Sequence, residues 1–248
     1  MSKLCTLWRR EIAAYFLSPI GYLVMVAFLF LIGGSFVTMV FAYNGQTTDS
    51  SVMQAFFGTA FYWFALLILV PIITMRLFAE EKRLGTLETL MTAPVSDAAV
   101  VVSKFLGAAT FFALLWLPTL LFAWILNRFA QSPTPIDWGP VLTAYLGTML
   151  LGFFYVSVGL LTSSLTHNQI VAAILGFAGI FVVFVVGLLS RLIPPGWVQV
   201  LVNYVSSYDH MVDFARGQID LRYVILYVTA TVFMLFCTQK IVESRKWR

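Results

Sequence analysis

Residues 20–43 read IGYLVMVAFLFLIGGSFVTMVFAY, a run of 24 residues without one charged side chain. At about 1.5 Å per residue, such a run makes a helix of roughly 36 Å, enough to cross a hydrocarbon core about 30 Å thick. Five further stretches of the same kind follow it: Phe56–Phe78, Ala98–Leu126, Val141–Leu165, Ile170–Ile193 and Leu221–Ile241. None carries an acidic residue well inside, and Arg76, Arg191 and Arg222 sit at their ends. Backbone in lipid must satisfy its own hydrogen bonds, so runs this continuous read as helices. A barrel would show alternating segments of about ten residues. The expected fold is an all-α polytopic membrane protein with six transmembrane helices.

Composition points the same way. Of the 248 residues, 60% are apolar and 10% charged, against about a quarter charged in soluble domains. So few charges exclude an ordinary cytosolic enzyme, a disordered chain and a small disulfide scaffold. The length fits a single membrane domain, residues 1–248. Cys5 and Cys237 form neither a redox motif nor a zinc ligand set. The net charge of +4 comes from basic residues flanking the apolar runs, which reads as membrane topology and not as nucleic-acid binding.

Those basic residues set the orientation. Lys3, Arg9, Arg10, Arg76, Lys82, Arg83, Lys104, Lys240, Arg245, Lys246 and Arg248 fall on one side, and Arg128, Arg191, Arg216 and Arg222 on the other. Positively charged flanks stay in the cytoplasm, so both termini are expected there, as an even number of spans also requires. The basic part ahead of the first apolar run is too long for a signal peptide, and the run lacks an A-x-A exit, so it reads as a permanent anchor.

The segments between spans carry the remaining information. Within residues 1–18, Leu4, Leu7, Trp8, Ile12, Tyr15 and Phe16 share one arc of a helix, while Lys3, Thr6, Arg9, Arg10 and Ala13 share the other. This suits an interfacial helix lying on anionic lipid, ended by Ser18-Pro19. Glu11 falls within the apolar arc; it either snorkels or forms a salt bridge with a neighbouring cytoplasmic segment, with Arg83 or Lys82 as partner. In the loop 79–97, Glu80-Glu81-Lys82-Arg83 prolongs the second span until Gly85 ends it. Thr86 can cap a short helix to about Thr92, with Glu88 in its first turn. Pro94 stops that helix, and Ser96 and Asp97 open the third span. Leu87, Leu90 and Met91, apolar and rimmed by charge, suggest a docking surface. The segment 194–220 opens on the hard break Pro194-Pro195-Gly196-Trp197. Ser207 can cap a helix through Arg216, ended by Gly217, and Asp220 caps the last span. These outer helices are either re-entrant or interfacial. Pro71 and Pro118 are expected to kink spans two and three, and Gly152, Gly159, Gly176 and Gly179 allow close helix contact.

Motifs for chemistry are scarce. The sequence has no phosphate-binding G-x-x-x-x-G-K-[ST] loop, no G-x-S-x-G and no H-E-x-x-H. Asp209, His210 and Asp213 could form an acid–base or metal cluster, or simply a solvated face. No charge sits at mid-membrane for ion coupling. No catalytic, cofactor-binding or metal-ligating residue is therefore assigned, and an energy source outside this chain is expected.

The Trp8-Arg9-Arg10-Glu11 helix ending in Tyr-Phe-x-Ser-Pro, the six spans, and Phe78-Ala79-Glu80-Glu81-Lys82-Arg83-x-Gly85-Thr86-Leu87-Glu88-x-Leu90 with Pro94 and Lys104 resemble the ABC-2 type transporter permeases. The outer stretch Ser206-Ser207-Tyr208-Asp209-His210-Met211-x-x-Phe214-x-Arg216-Gly217-x-Ile219-Asp220 is similar to the gliding-motility-associated (Gld-type) permeases within that family. The resemblance implies the membrane subunit of an ATP-driven exporter in a bacterial plasma (inner) membrane. It also implies that the loop 79–97, through Glu80, Glu81, Gly85, Thr86, Leu87, Glu88, Leu90, Met91 and Pro94, is a coupling helix docking on a separate ABC ATPase subunit. That partner would hold ATP and Mg. A second permease subunit, identical or paralogous, membrane lipid and an extracytoplasmic auxiliary protein are the other implied partners. The alternative is a mechanotransmitting or scaffold subunit that moves no cargo.

Overall fold

The computed structural model describes residues 3–43, 52–86, 96–129, 137–189, 194 and 196–244. Among these it is helical without strands. Six helices are long and apolar enough to cross a membrane: Pro19–Phe41, Ala60–Leu84, Asp97–Arg128, Trp138–Leu165, Gln169–Leu189 and Leu221–Ser244. The all-α polytopic expectation holds. The second and fourth spans form the centre of the bundle, and the fifth and sixth turn most of their surface outward.

The helix ends follow local chemistry. Ser96 caps the third span by accepting from the Ala99 amide at 3.3 Å, and the Asp220 carboxylate accepts from the Arg222 amide at 2.8 Å. Gly85 (φ 71°) and Gly217 (φ 88°) both stop their helices in the left-handed region, where glycine carries no Cβ penalty.

Helix type changes beside both Pro71 and Pro118. Ahead of Pro71 the second span widens into a π-helical segment, Ala65–Leu69. This register absorbs the carbonyl left without a donor by the imide. At Pro118 the third span tightens into the 3-10 turn Leu117–Thr119, where the Thr119 hydroxyl donates to the Trp116 carbonyl at 2.7 Å.

The second span departs from its expected start. Val52–Phe57 is a separate short helix burying Met53, Phe56 and Phe57. The span proper begins at Ala60, capped by Thr59. The first span fastens this seam, since Ser35 Oγ donates to the Phe56 carbonyl at 2.9 Å and also meets the Thr59 hydroxyl.

The segment between the fifth and sixth spans contains two helices, Trp197–Val205 and Ser207–Ala215. The cap is Ser206 and not Ser207: its hydroxyl accepts from the Asp209 amide at 3.3 Å, one residue earlier than the sequence suggests. The second helix of the pair is buried against the fourth span, where Thr143 Oγ1 donates to the Phe214 carbonyl at 2.6 Å. The first buries no residue and exposes Trp197, Val200 and Leu201.

Candidate functional site

One end of the bundle holds a charged cluster built from three elements. The second span continues past the apolar region as the strongly amphipathic segment Arg76–Leu84. The N-terminal helix Lys3–Phe16 lies across the third span and does not rest free on the surface. Trp8 Nε1 donates to Thr110 Oγ1 at 3.1 Å. Tyr15 stacks on Phe111 with ring centroids 4.5 Å apart, and its hydroxyl donates to the Ile73 carbonyl at 2.9 Å. Burial pushes the Tyr15 phenol far above its usual range, so the group stays a neutral donor. Gly107 makes this seat possible, because a Cβ there would come within 2.6 Å of Glu11 Cβ.

Lys104 of the third span sits at the centre, 1% exposed. Its Nζ lies 2.8 Å from Glu81 Oε1 and 3.3 Å from Glu11 Oε1, and 5.3 Å from the centroid of the Phe78 ring. Arg10 closes the cluster from outside, at 2.8 Å from Glu11 and 3.0 Å from Glu81. Glu11 therefore forms the bridging contact and does not snorkel, but its partners are Lys104 and Arg10, not Arg83 or Lys82. The reason is helical phase: Lys82 points to the fourth span and donates to the Ser164 carbonyl. Glu80 pairs with Arg76 at 3.3 Å, and Arg76 also donates to Ser18 Oγ at 2.8 Å. A cavity of about 300 Å³ opens between these elements, lined in part by Tyr15, Arg76, Glu80, Glu81 and Leu84.

The other sequence candidates distribute as follows. Arg9 is exposed, Gly85 ends the charged helix, and Thr86 Oγ1 lies 3.4 Å from the Glu81 carbonyl. Leu87, Glu88, Leu90, Met91 and Pro94, the body of the expected coupling helix, lie outside the described residues, as does Pro195. At the opposite end Pro194 and Arg216 are exposed, and Tyr208 stacks on Trp63 with centroids 5.8 Å apart. Asp209, His210 and Asp213 each turn to a different neighbour. Asp209 Oδ2 lies 2.6 Å from Ser206 Oγ, Asp213 Oδ2 accepts from the Tyr223 hydroxyl at 3.0 Å, and His210 Nδ1 lies 3.0 Å from the Tyr227 hydroxyl. Among the described residues no group of His, Cys, Asp or Glu could hold a metal.

His210 is thus a packing residue, its ring 3.8 Å from that of Tyr223. Burial lowers its pKa from 6.5 to about 4, against the opposing charges of Asp209 and Asp220. The unfolded chain then binds this proton at higher pH than the folded one, so stability is lost as pH falls from about 6.5 toward 4, by up to roughly 1.4 kcal/mol per pH unit. Thermal unfolding in detergent across that window should show this slope, and His210→Gln should flatten it.

Lys104 is more than the flanking charge that its place in the sequence suggests, and Gly107 and Ser163 carry contacts that no motif announces. For Lys104 the available signal was a lysine inside an otherwise apolar span.

The family described as ABC-2 family transporter protein matches residues 17–185. That stretch runs from the end of the N-terminal helix into the fifth span, and takes in Lys104 and the segment Arg76–Leu84. No curated protein matches the chain.

Proposed function

Because the chain belongs to the ABC-2 family of transporter proteins, we propose that it is the membrane subunit of an ATP-driven exporter, with both termini in the cytoplasm. A separate ABC ATPase would dock on the loop 79–97, and a second permease subunit would complete the export path. The observation that carries this reading is the Lys104 cluster. It ties the segment leading into the docking loop to the N-terminal helix and the third span through buried charge. Displacement of that loop would then reach two elements of the bundle at once, as an energy-coupling element requires. The outer stretch 206–220 supports placement among the Gld-type permeases, with an extracytoplasmic auxiliary protein as further partner.

Docking is tested at Leu87. A groove-filling apolar anchor commonly contributes about 2 kcal/mol or more, whereas rim charges mainly orient the partner. Leu87→Asp should abolish co-purification of the ATPase while membrane insertion stays intact. Normal complex formation and coupled ATPase activity in that variant would remove the reading.

Orientation has its own test. In a Cys5→Ser, Cys237→Ser background, a cysteine at position 216 should react with an impermeant reagent from outside the cell, and one at 88 should not. Labelling of position 88 from outside would sink the topology.

A further inference from the structure

The cavity beside the Lys104 cluster is a corner between two helices. Ala14 and Tyr15 of the N-terminal helix form one wall, and Leu77, Glu80 and Leu84 of the second span's extension form the other. Its volume of about 300 Å³ stands at the lower end of ligand pockets, which run from roughly 300 to 1,000 Å³. Both walls are held from behind. The Phe78 and Ala79 amides donate to Ser163 Oγ of the fourth span at 3.0 and 3.1 Å, and Lys82 donates to the Ser164 carbonyl. The opposite wall is held by the seat of Tyr15 on Phe111 and the Ile73 carbonyl. The site is therefore formed in advance of any ligand.

Six charged side chains line it, three of each sign. Lys104 and Glu11 lie deepest, with side chains 2% and 10% exposed, and pair with each other. Arg10, Arg76, Glu80 and Glu81 are more open, at 49%, 19%, 33% and 19%. Arg10 makes both its ion pairs through Nη2, and Arg76 uses Nε and Nη1. A guanidinium carries five N–H donors, so among the described residues each keeps donors for a further anion. Glu81 has the opposite need. Its Oε1 takes both Lys104 and Arg10, while Oε2 is shielded from water and meets no donor. A carboxylate oxygen left in that state is costly. The terminal torsion of a glutamate is soft, so a small turn presents Oε2 to the cavity.

Two cations and two carboxylates at one opening cancel. A purely anionic ligand is repelled by Glu80 and Glu81, and a purely basic one by Arg10 and Arg76. A ligand with both signs a few bonds apart avoids both penalties. We propose that this cavity binds the phosphate–ammonium headgroup of a zwitterionic lipid, phosphatidylethanolamine. The phosphate sits on Arg10 and Arg76, and the primary ammonium donates to Glu80 and to Glu81 Oε2. Placement favours a lipid over a soluble zwitterion. Arg76 and Ser18, joined at 2.8 Å, stand where the first and second spans leave the apolar region, the level of headgroups. Leu84 at the lip and Leu17 beside Ser18 are 62% and 84% exposed, apolar surface suited to acyl carbons. The proposal does not depend on the coupling reading.

The test mixes the purified chain in detergent with equal concentrations of dioleoyl phosphatidylethanolamine, phosphatidylcholine and phosphatidylglycerol. Native mass spectrometry reads the retained lipid, and thermal unfolding reads its effect. The ethanolamine lipid should be retained about tenfold over either of the others, because choline has no N–H to donate and glycerol no positive charge. Ala14→Phe fills the cavity without touching a charge. It should abolish the preference while melting without lipid stays at the wild-type value. Glu80→Gln leaves Arg76 on Ser18 and should move the preference toward phosphatidylglycerol, an inversion that a loss of packing would not produce. Equal retention of the three lipids overturns the proposal, as does a preference unchanged in both variants. Soluble glycerophosphoethanolamine carries the same headgroup without chains and should stabilise the chain far less. Equal stabilisation by it would overturn the lipid in favour of a soluble zwitterion. Loss of the bound lipid on adding the co-purifying ATPase subunit would overturn it in favour of a protein partner.

Discussion

Lys104→Met is expected to release the N-terminal helix from the bundle and to lower thermal stability steeply. Among the described residues the lysine is the only cation reaching Glu11 and Glu81 from within the bundle, and both carboxylates are largely shielded, with side chains 10% and 19% exposed. Arg10 remains near both, but it is half exposed and cannot replace a buried charge. Removing one member of a buried ion pair costs roughly 3–5 kcal/mol, because the survivors stay charged in a poor solvent. The measurement is the melting temperature in detergent, joined to the reactivity of Cys5 in a Cys237→Ser background. Cys5 rides on the N-terminal helix and should label faster once that helix lifts. The same physics predicts partial repair: Glu11→Gln added to Lys104→Met removes one stranded charge, so the double variant should be more stable than the sum of the single changes predicts. Unchanged melting and Cys5 reactivity in Lys104→Met would show that the cluster holds nothing together.

Gly159→Val is expected to be the most disruptive single change inside the apolar region. The glycine lies at the meeting of three spans. On one side is Thr74, whose hydroxyl a new Cβ would overlap; on the other is Gly176, where even a Cβ would come within 3.8 Å of Gly159 Cα. Overfilling a packed interior typically costs about 1–3 kcal/mol where side chains can shift. Here the branched side chain must displace the helices themselves, so the loss should exceed that range. Thr74→Ala should restore part of it by removing the hydroxyl and methyl that collide. The check is folded yield by size-exclusion chromatography together with the melting temperature. A well-behaved Gly159→Val protein with no loss of stability would contradict the close contact of spans two, four and five.

What the sequence discloses and what it conceals divide along a physical line. Span number and type were legible because lipid permits only one structure for long uncharged runs. The stops at Gly85 and Gly217 and the caps at Ser96 and Asp220 were legible because they depend on a few neighbouring residues. The short helix Val52–Phe57 was not, since its apolar residues run straight into the second span and only Thr59 marks the seam. The partner of Glu11 was not legible either. Lys82 and Arg83 looked suitable from their place in a cytoplasmic loop, but helical phase turns Lys82 toward Ser164, while Lys104 arrives from another span. Ser163 shows the limit most sharply. Ser103, Ser157 and Ser164 donate back to carbonyls three residues earlier in their own helices. Nothing within a few residues of Ser163 marks it as the serine that reaches across to another helix.

The seat of the N-terminal helix also dictates an order of events during synthesis. Every anchor it uses on the third span, from Lys104 through Gly107 and Thr110 to Phe111, is made well after it, with Glu11 and Lys104 separated by 93 positions and Trp8 and Thr110 by 102. When the helix leaves the ribosome its binding groove does not exist. It must wait at the membrane surface, with Glu11 still hydrated, until the third span has been inserted and turned back to meet it. The earliest helix of the chain is thereby seated only once three spans are in place, and it closes over a bundle half assembled.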